Sequence, residues 1–115
     1  EYATAIAQYC VVLPPTITST AATAIFVQGS TAQLMITHVA GDLKDKTVLI
    51  NAAAGGVGSL LVQLAKLQGA RVIAACSSEE KLLLAKSHGA DVSINYSNAD
   101  WSEQVKAATK GRGVD

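Results

Sequence analysis

The stretch Thr47-Val-Leu-Ile-Asn51-Ala-Ala-Ala-Gly55-Gly56-Val57-Gly58 decides how this chain folds. A short apolar run, β-prone and uncharged, leads straight into glycines. From Val57 to Gln68 the pattern turns helical, with Ser59, Gln63 and Lys66 on one side and leucines around the rest. Strand, glycine turn and helix in this order form the opening unit of a nucleotide-binding fold. Set against the spacing G-x-G-x-x-G, the first position is Ala53, the second Gly55 and the third Gly58. Gly55 lets the backbone lie against a pyrophosphate, and Gly58 lets the helix pack tightly on the strand. The free N–H groups at the helix start then donate to phosphate oxygens, helped by the positive helix end. No Lys-Ser or Lys-Thr pair follows the last glycine, so the turn is not a nucleoside-triphosphate loop.

Outward from this turn the pattern is rhythmic. Gly69 stops the helix, and Arg71 to Cys76 reads as a second buried strand. Glu79 to His88 reads as a helix with Leu82, Leu83, Leu84 and Ala85 inward, stopped by Gly89. Val92 to Asn95 is a third strand. Ser97 to Asp100 has the spacing of a capping box, and Trp101, Val105 and Ala108 mark one face of a last helix closed by Gly111. A fourth strand is expected to begin at Gly113-Val114-Asp115. Strands alternating with helices predict an α/β fold: a βαβαβα half of a doubly wound parallel sheet, a partial Rossmann fold preceded by helices. Upstream, Tyr9 to Leu13 reads as a short strand halted by Pro14-Pro15. Thr16 to Gly41 reads as helical, with N-cap oxygens at Thr18, Ser19 and Thr20 and an interruption at Gly29. Ala32, Met35, Ile36 and Val39 fall on one face.

Composition narrows the function. Of 115 residues, 50% are apolar, 16% are charged and the net charge is zero. A disordered chain is excluded by this balance, and a nucleic-acid partner is disfavoured because no basic excess exists to meet phosphates. Aromatics, at 4%, are too few for a base-stacking platform. No apolar run is long enough to span a membrane, and no signal peptide is evident. Cys10 and Cys76 form no CxxC pair and read as small reduced hydrophobes of a cytoplasmic protein. No metal-ligand spacing appears. The chain starts at Glu1 rather than Met, which suggests a cut or processed start.

The end of the second strand chooses the cofactor. An NAD site places Asp or Glu there to hold the ribose 2′-hydroxyl. Here Cys76 is followed by Ser77 and Ser78, and Lys81 stands one helical turn on. Without a carboxylate to repel a 2′-phosphate, and with a lysine and serines to bind it, the reading is NADP. Glu79 and Glu80 are explained as first-turn partners of the helix dipole.

At these residues the chain resembles the zinc-independent quinone oxidoreductases, the zeta-crystallin-like branch of the medium-chain dehydrogenase/reductases. The matching pieces are Gln28-Gly-Ser-Thr-Ala32, Asn51 to Gly58, Gln63-Leu-Ala-Lys66, Ser77 to Lys81, Gly89-Ala-Asp91 and Ile94-Asn-Tyr96. The resemblance implies hydride transfer from NADPH to a small quinone or activated alkene. It also implies site roles. Thr31 would approach the nicotinamide side, and Gly56 and Val57 would offer N–H groups to the pyrophosphate. Ser77, Lys81 and Tyr96 would surround the adenosine 2′-phosphate. Residues 1–15 would be the remnant of an N-terminal catalytic domain, and residues 16–115 part of the NADP-binding domain. No catalytic side chain and no metal ligand are assigned. Such a piece is expected to lack turnover by itself, to bind NADPH weakly if at all, and to self-associate as a homo-oligomer.

Two other readings remain open. An enoyl-thioester reductase or a zinc-dependent alcohol dehydrogenase of the same superfamily would share this turn. A non-catalytic nucleotide-binding module would share the fold, although a methyltransferase-like one would also prefer an acidic residue after the second strand. His38, ending the Thr31 helix, reads as a helix-end histidine facing the last carbonyls rather than a proton donor, and His88 as a C-terminal helix residue.

Overall fold

A computed structural model describes residues 2–115. Its centre is a parallel sheet of three strands in the order β1 (Thr47–Asn51), β2 (Arg71–Cys76), β3 (Val92–Asn95). Thr47 lies opposite Arg71 and Asn51 opposite Ala75, while Ile73 lies opposite Val92. Helix α1 (Ser19–Leu34) precedes the sheet. Helices α2 (Gly56–Leu67) and α3 (Glu79–Ser87) are the crossovers, and α4 (Trp101–Ala108) follows β3. The βαβαβα expectation holds strand for strand.

Alternation along β2 makes the layers. Val72, Ala74 and Cys76 face one side with Val62 and Ala65 of α2 and Leu82 and Ala85 of α3. Ile73 faces the other side with Ile94 and with Val105 and Trp101 of α4. Both faces of β2 are therefore covered, as a continuous apolar strand of a parallel sheet requires. The alanines decide how near the layers come, since Ala53, Ala65, Ala74, Ala75 and Ala85 are all fully buried. Helices α2 and α3 end alike: Gly69 (φ 85°) and Gly89 (φ 106°) take the left-handed conformation. The next N–H groups, of Ala70 and Ala90, then close back on the carbonyls of Ala65 and Ala85.

Several expectations are corrected. Tyr9 to Leu13 is not a strand; the chain makes one 3₁₀ turn at Ala7–Tyr9 and runs on exposed. Among the described residues no neighbouring strand is there to take its backbone bonds, and Pro14-Pro15 bring no donors. Gly29 does not interrupt α1. A Cβ there would sit in ordinary contact with Ile25 and Leu60, so the helix passes close over α2. The helix starts at Ser19 because the Thr18 hydroxyl caps the Ala21 N–H. It then widens into a π-helical segment, Met35–Ala40, closed by the Gly41 N–H on the Ile36 carbonyl. Of the face predicted there, Ala32 and Ile36 are buried while Met35 and Val39 are exposed. On α3 only Leu82 and Ala85 point inward; Leu83 and Leu84 are exposed, because three consecutive residues span most of a helical turn. Ser97 does not cap α4. The Asn95 side chain takes the Ser97 N–H, and the Ser97 hydroxyl donates to the Ser77 carbonyl. Cys10 is exposed, whereas Cys76 is buried as expected.

Candidate functional site

Asn51, Cys76 and Asn95 end the three strands on one edge of the sheet, where open α/β sheets hold their ligands. Beyond Asn51 the chain reverses within a single turn. Ala52 takes a left-handed backbone (φ 49°), and its carbonyl accepts the Gly55 N–H at 2.8 Å. Ala53 turns inward, fully buried, and its N–H reaches the Ala75 carbonyl of β2. Gly55 is the extended residue before α2, and the Ser59 N–H on the Gly55 carbonyl is the first bond of that helix. The N–H groups of Gly56, Val57 and Gly58 consequently have no helical carbonyl to meet and are left at the positive helix end.

Gly58 is where helix and turn touch. A Cβ there would strike the Ala52 carbonyl and stand 2.9 Å from the Ala53 Cα, both backbone atoms that cannot move aside. A turn drawn this tight, with free N–H groups at its mouth, fits a diphosphate.

The second wall comes from the ends of β2 and β3. Ser78 caps α3 by accepting the Lys81 N–H, and the Lys81 ammonium lies 3.3 Å from the Ser77 hydroxyl. The Tyr96 N–H donates to the Cys76 carbonyl, which fixes the loop after β3 beside the loop after β2. Ala52, Ala54, Gly55, Cys76, Lys81 and Tyr96 line one cleft of about 110 Å³. Gly55, Lys81 and Tyr96, distant in sequence, thus share a space with the turn. Ser77 joins it through Lys81. Among the described residues Lys81 has no carboxylate partner, although Glu79 and Glu80 are near in sequence, so its charge is available to an anion.

Thr31 lies elsewhere, exposed on α1 and outside that cleft. The hydroxyls of Ser30 beside it and of Thr37 in the π-helical segment donate to carbonyls one turn earlier; among the described residues the Thr31 hydroxyl does not. His38 pairs its Nδ1 with the Thr37 hydroxyl at 2.7 Å instead of facing the helix-end carbonyls. His88 follows the last turn of α3, as expected. Two residues at the turn escaped the sequence reading. Ala52 carries an unusual backbone with no sequence mark of it. Gln28 places its side chain over Gly56, a part that its place in the matching Gln28–Ala32 piece did not disclose. Among the described residues no three His, Cys, Asp or Glu side chains are gathered as a metal would need. None of the described helices is long and apolar enough to cross a membrane.

Residues 56–115 match the family model described as zinc-binding dehydrogenase. Prostaglandin reductase 1 of Sus scrofa is 38% identical over 87 residues, covering 76% of this chain and 26% of that protein. A 2-haloacrylate reductase of a Burkholderia species is 41% identical over 91 residues, covering 79% of this chain and 27% of that protein. Among solved structures, Escherichia coli quinone oxidoreductase complexed with NADPH superposes with a TM-score of 0.86 at 35% identity, covering 90% of this chain and 32% of that one. The chain thus spans about a quarter to a third of the length of these relatives. Glycine turn, strand order and sequence agree: the chain belongs to the zinc-binding dehydrogenase family, within the medium-chain dehydrogenase/reductases.

Proposed function

We propose that residues 16–115 are part of the NADP-binding domain of an oxidoreductase that passes hydride from NADPH to a small quinone or activated alkene. Residues 1–15 would be the remnant of its catalytic domain. The observation that carries the cofactor choice is at the end of β2. Cys76, Ser77 and Ser78 stand where a ribose-binding carboxylate would, and the Lys81 ammonium, which has no carboxylate partner among the described residues, reaches the Ser77 hydroxyl. In this reading the N–H groups of Gly56 and Val57 hold the diphosphate, with Gly55 and Gly58 permitting the approach. Ser77, Lys81 and Tyr96 hold the 2′-phosphate, and Thr31 stands toward the nicotinamide. When bound, NADPH supplies the hydride, so this part of the chain needs no nucleophile of its own. Its task is to fix the cofactor's orientation.

The test is a calorimetric titration of the chain with NADPH and NADH. Lys81 with its serine should make NADPH the tighter ligand by about tenfold, the worth of one charge-assisted contact. Equal affinity for the two cofactors, or tighter binding of NADH, rejects the NADP assignment.

A further inference from the structure

Glu79, Leu82, Leu83 and Lys86 follow one another at steps of three, one and three along α3, so they share one face of that helix. With Ser93 and Asn95 of β3 they line a groove of about 290 Å³. Among the described residues β3 is the outer strand of the sheet, so the groove lies along an open edge. Leu82 turns inward to the core, whereas Leu83 is 68% exposed. Glu79 and Lys86 carry opposite charges, and among the described residues neither has an ion-pair partner. Two helical turns, about 10.5 Å, separate them, and they do not meet each other. The rest of the groove's lining is uncharged. An exposed leucine alone is ordinary. Midway between two unpaired and opposite charges, it makes this face complementary to itself.

We propose that this face of α3 docks on the same face of a second copy of the chain, the two helices running antiparallel about a twofold axis. Such an axis passes level with Leu82 and Leu83. It sets Glu79 of each copy against Lys86 of the other, and brings the two Leu83 side chains together between the ion pairs. One surface thus supplies both halves of the contact, as a twofold interface requires. A helix of 9 residues covers little area, so the contact is weak and transient. It shares no lining residue with the cleft at the glycine turn, and it is separate from the edge of β1.

The test is a thiol cross-link, which reads a transient contact that a mass measurement averages out. Leu83→Cys is made on a chain whose exposed Cys10 is replaced by serine; Cys76 is buried. Diamide oxidises two facing thiols to a disulfide. Covalent dimer should form faster than from Leu84→Cys, an exposed neighbour outside the groove. Glu79→Lys or Lys86→Glu, added singly to Leu83→Cys, turns both ion pairs repulsive and should slow the cross-link about fivefold. The double reversal restores opposite charges and should restore the rate. Weakening of α3 cannot imitate that recovery, because the double reversal sets both charges against the helix dipole. Added salt should slow the cross-link of Leu83→Cys with no further substitution. Cross-linking no faster than that of Leu84→Cys, single reversals or salt without effect, or a double reversal as slow as the single ones would each overturn the proposal.

Discussion

Asp91 and Val72 are joined twice. The Val72 N–H donates to the Asp91 carboxylate at 2.7 Å, and the Asp91 N–H donates to the Val72 carbonyl at 2.9 Å. Asp115 repeats the arrangement on Thr47, whose N–H meets the carboxylate at 2.8 Å while its carbonyl accepts the Asp115 N–H at 2.9 Å. Both aspartates follow a Gly-x pair with a positive-φ glycine, Gly89 and Gly113. Each is also met by a cation, Lys66 for Asp91 and Arg112 for Asp115. The first clamp sets β3 in register on β2. The second places the chain beside the open edge of β1, where a fourth strand would start.

These clamps predict an acid limit. Burial works to raise the Asp91 pKa, but the Lys66 hydrogen bond, the Val72 N–H and the charges of Lys66 and Arg71 outweigh it and hold it below 3.8. Asp115 is lowered by the Thr47 N–H and then by Arg112. A carboxylate with a depressed pKa in the folded state stabilises the fold above its unfolded value, and that contribution disappears as pH falls through the folded one. The urea midpoint should be flat above about pH 5 and fall below about pH 4. Asp91→Asn should cost about 1 kcal/mol at neutral pH, a modest figure because the pair is partly exposed, and should flatten the acid limb. An acid limb unaltered in Asp91→Asn would remove Asp91 from its cause.

Two glycines on neighbouring helices should respond in opposite directions. Gly58→Ala drives a Cβ into the backbone of Ala52 and Ala53 and should cost about 2–3 kcal/mol, with loss of NADPH affinity. Gly58→Val should do both more severely. Gly29→Ala meets only ordinary contacts, with Ile25 of α1 and Leu60 of α2, and should stabilise by about 0.5–1 kcal/mol through helix propensity. Chemical denaturation of the variants checks the signs.

Lys81→Ala should reduce NADPH affinity about tenfold and change NADH affinity little, since only NADPH carries the 2′-phosphate. Parallel losses for both cofactors would assign Lys81 to the fold instead. The serine cap on α3 stays in place in this variant, because it uses the backbone N–H of position 81.

The open edge of β1 should make the chain self-associate. Among the described residues its far side is engaged only at Thr47. Beside it lies a groove of about 430 Å³ lined by Met35, Val39, Leu43, Leu49, Leu61 and Val114 among others. Unpaired strand edges over apolar surface seek partners. Sedimentation should show a mass that grows with concentration. Val39→Lys, at an exposed position on the groove, should shift it toward monomer without altering the fold. A concentration-independent monomer mass would mean that this edge is silent. Absence of quinone turnover by the chain is the matching expectation, since hydride transfer needs the acceptor held in a pocket that excludes water.

Local periodicity determined the strands and helices from Thr47 onward. The apolar runs, the glycine stops and the turn are short-range signals, and β2 and β3 end where their residues predicted. The absence of a carboxylate after Cys76 was equally plain in the sequence, since it depends on identity at one position. Tertiary structure decided what depends on a distant neighbour. Tyr9 to Leu13 has the residues of a strand but no strand beside it, and backbone pairing is not a local property. Leu82 and Leu84 are alike in sequence, yet only the first meets the sheet. Gly29 lies within a helix that packs on α2, a contact across the fold that its own residue type did not disclose. Gly58 is required because the Ala52 carbonyl lies where its Cβ would go. Gln28 reaches the turn only through the packing of α1 on α2. No spacing rule connects residue 28 to residue 56, so contact across the fold alone could reveal it.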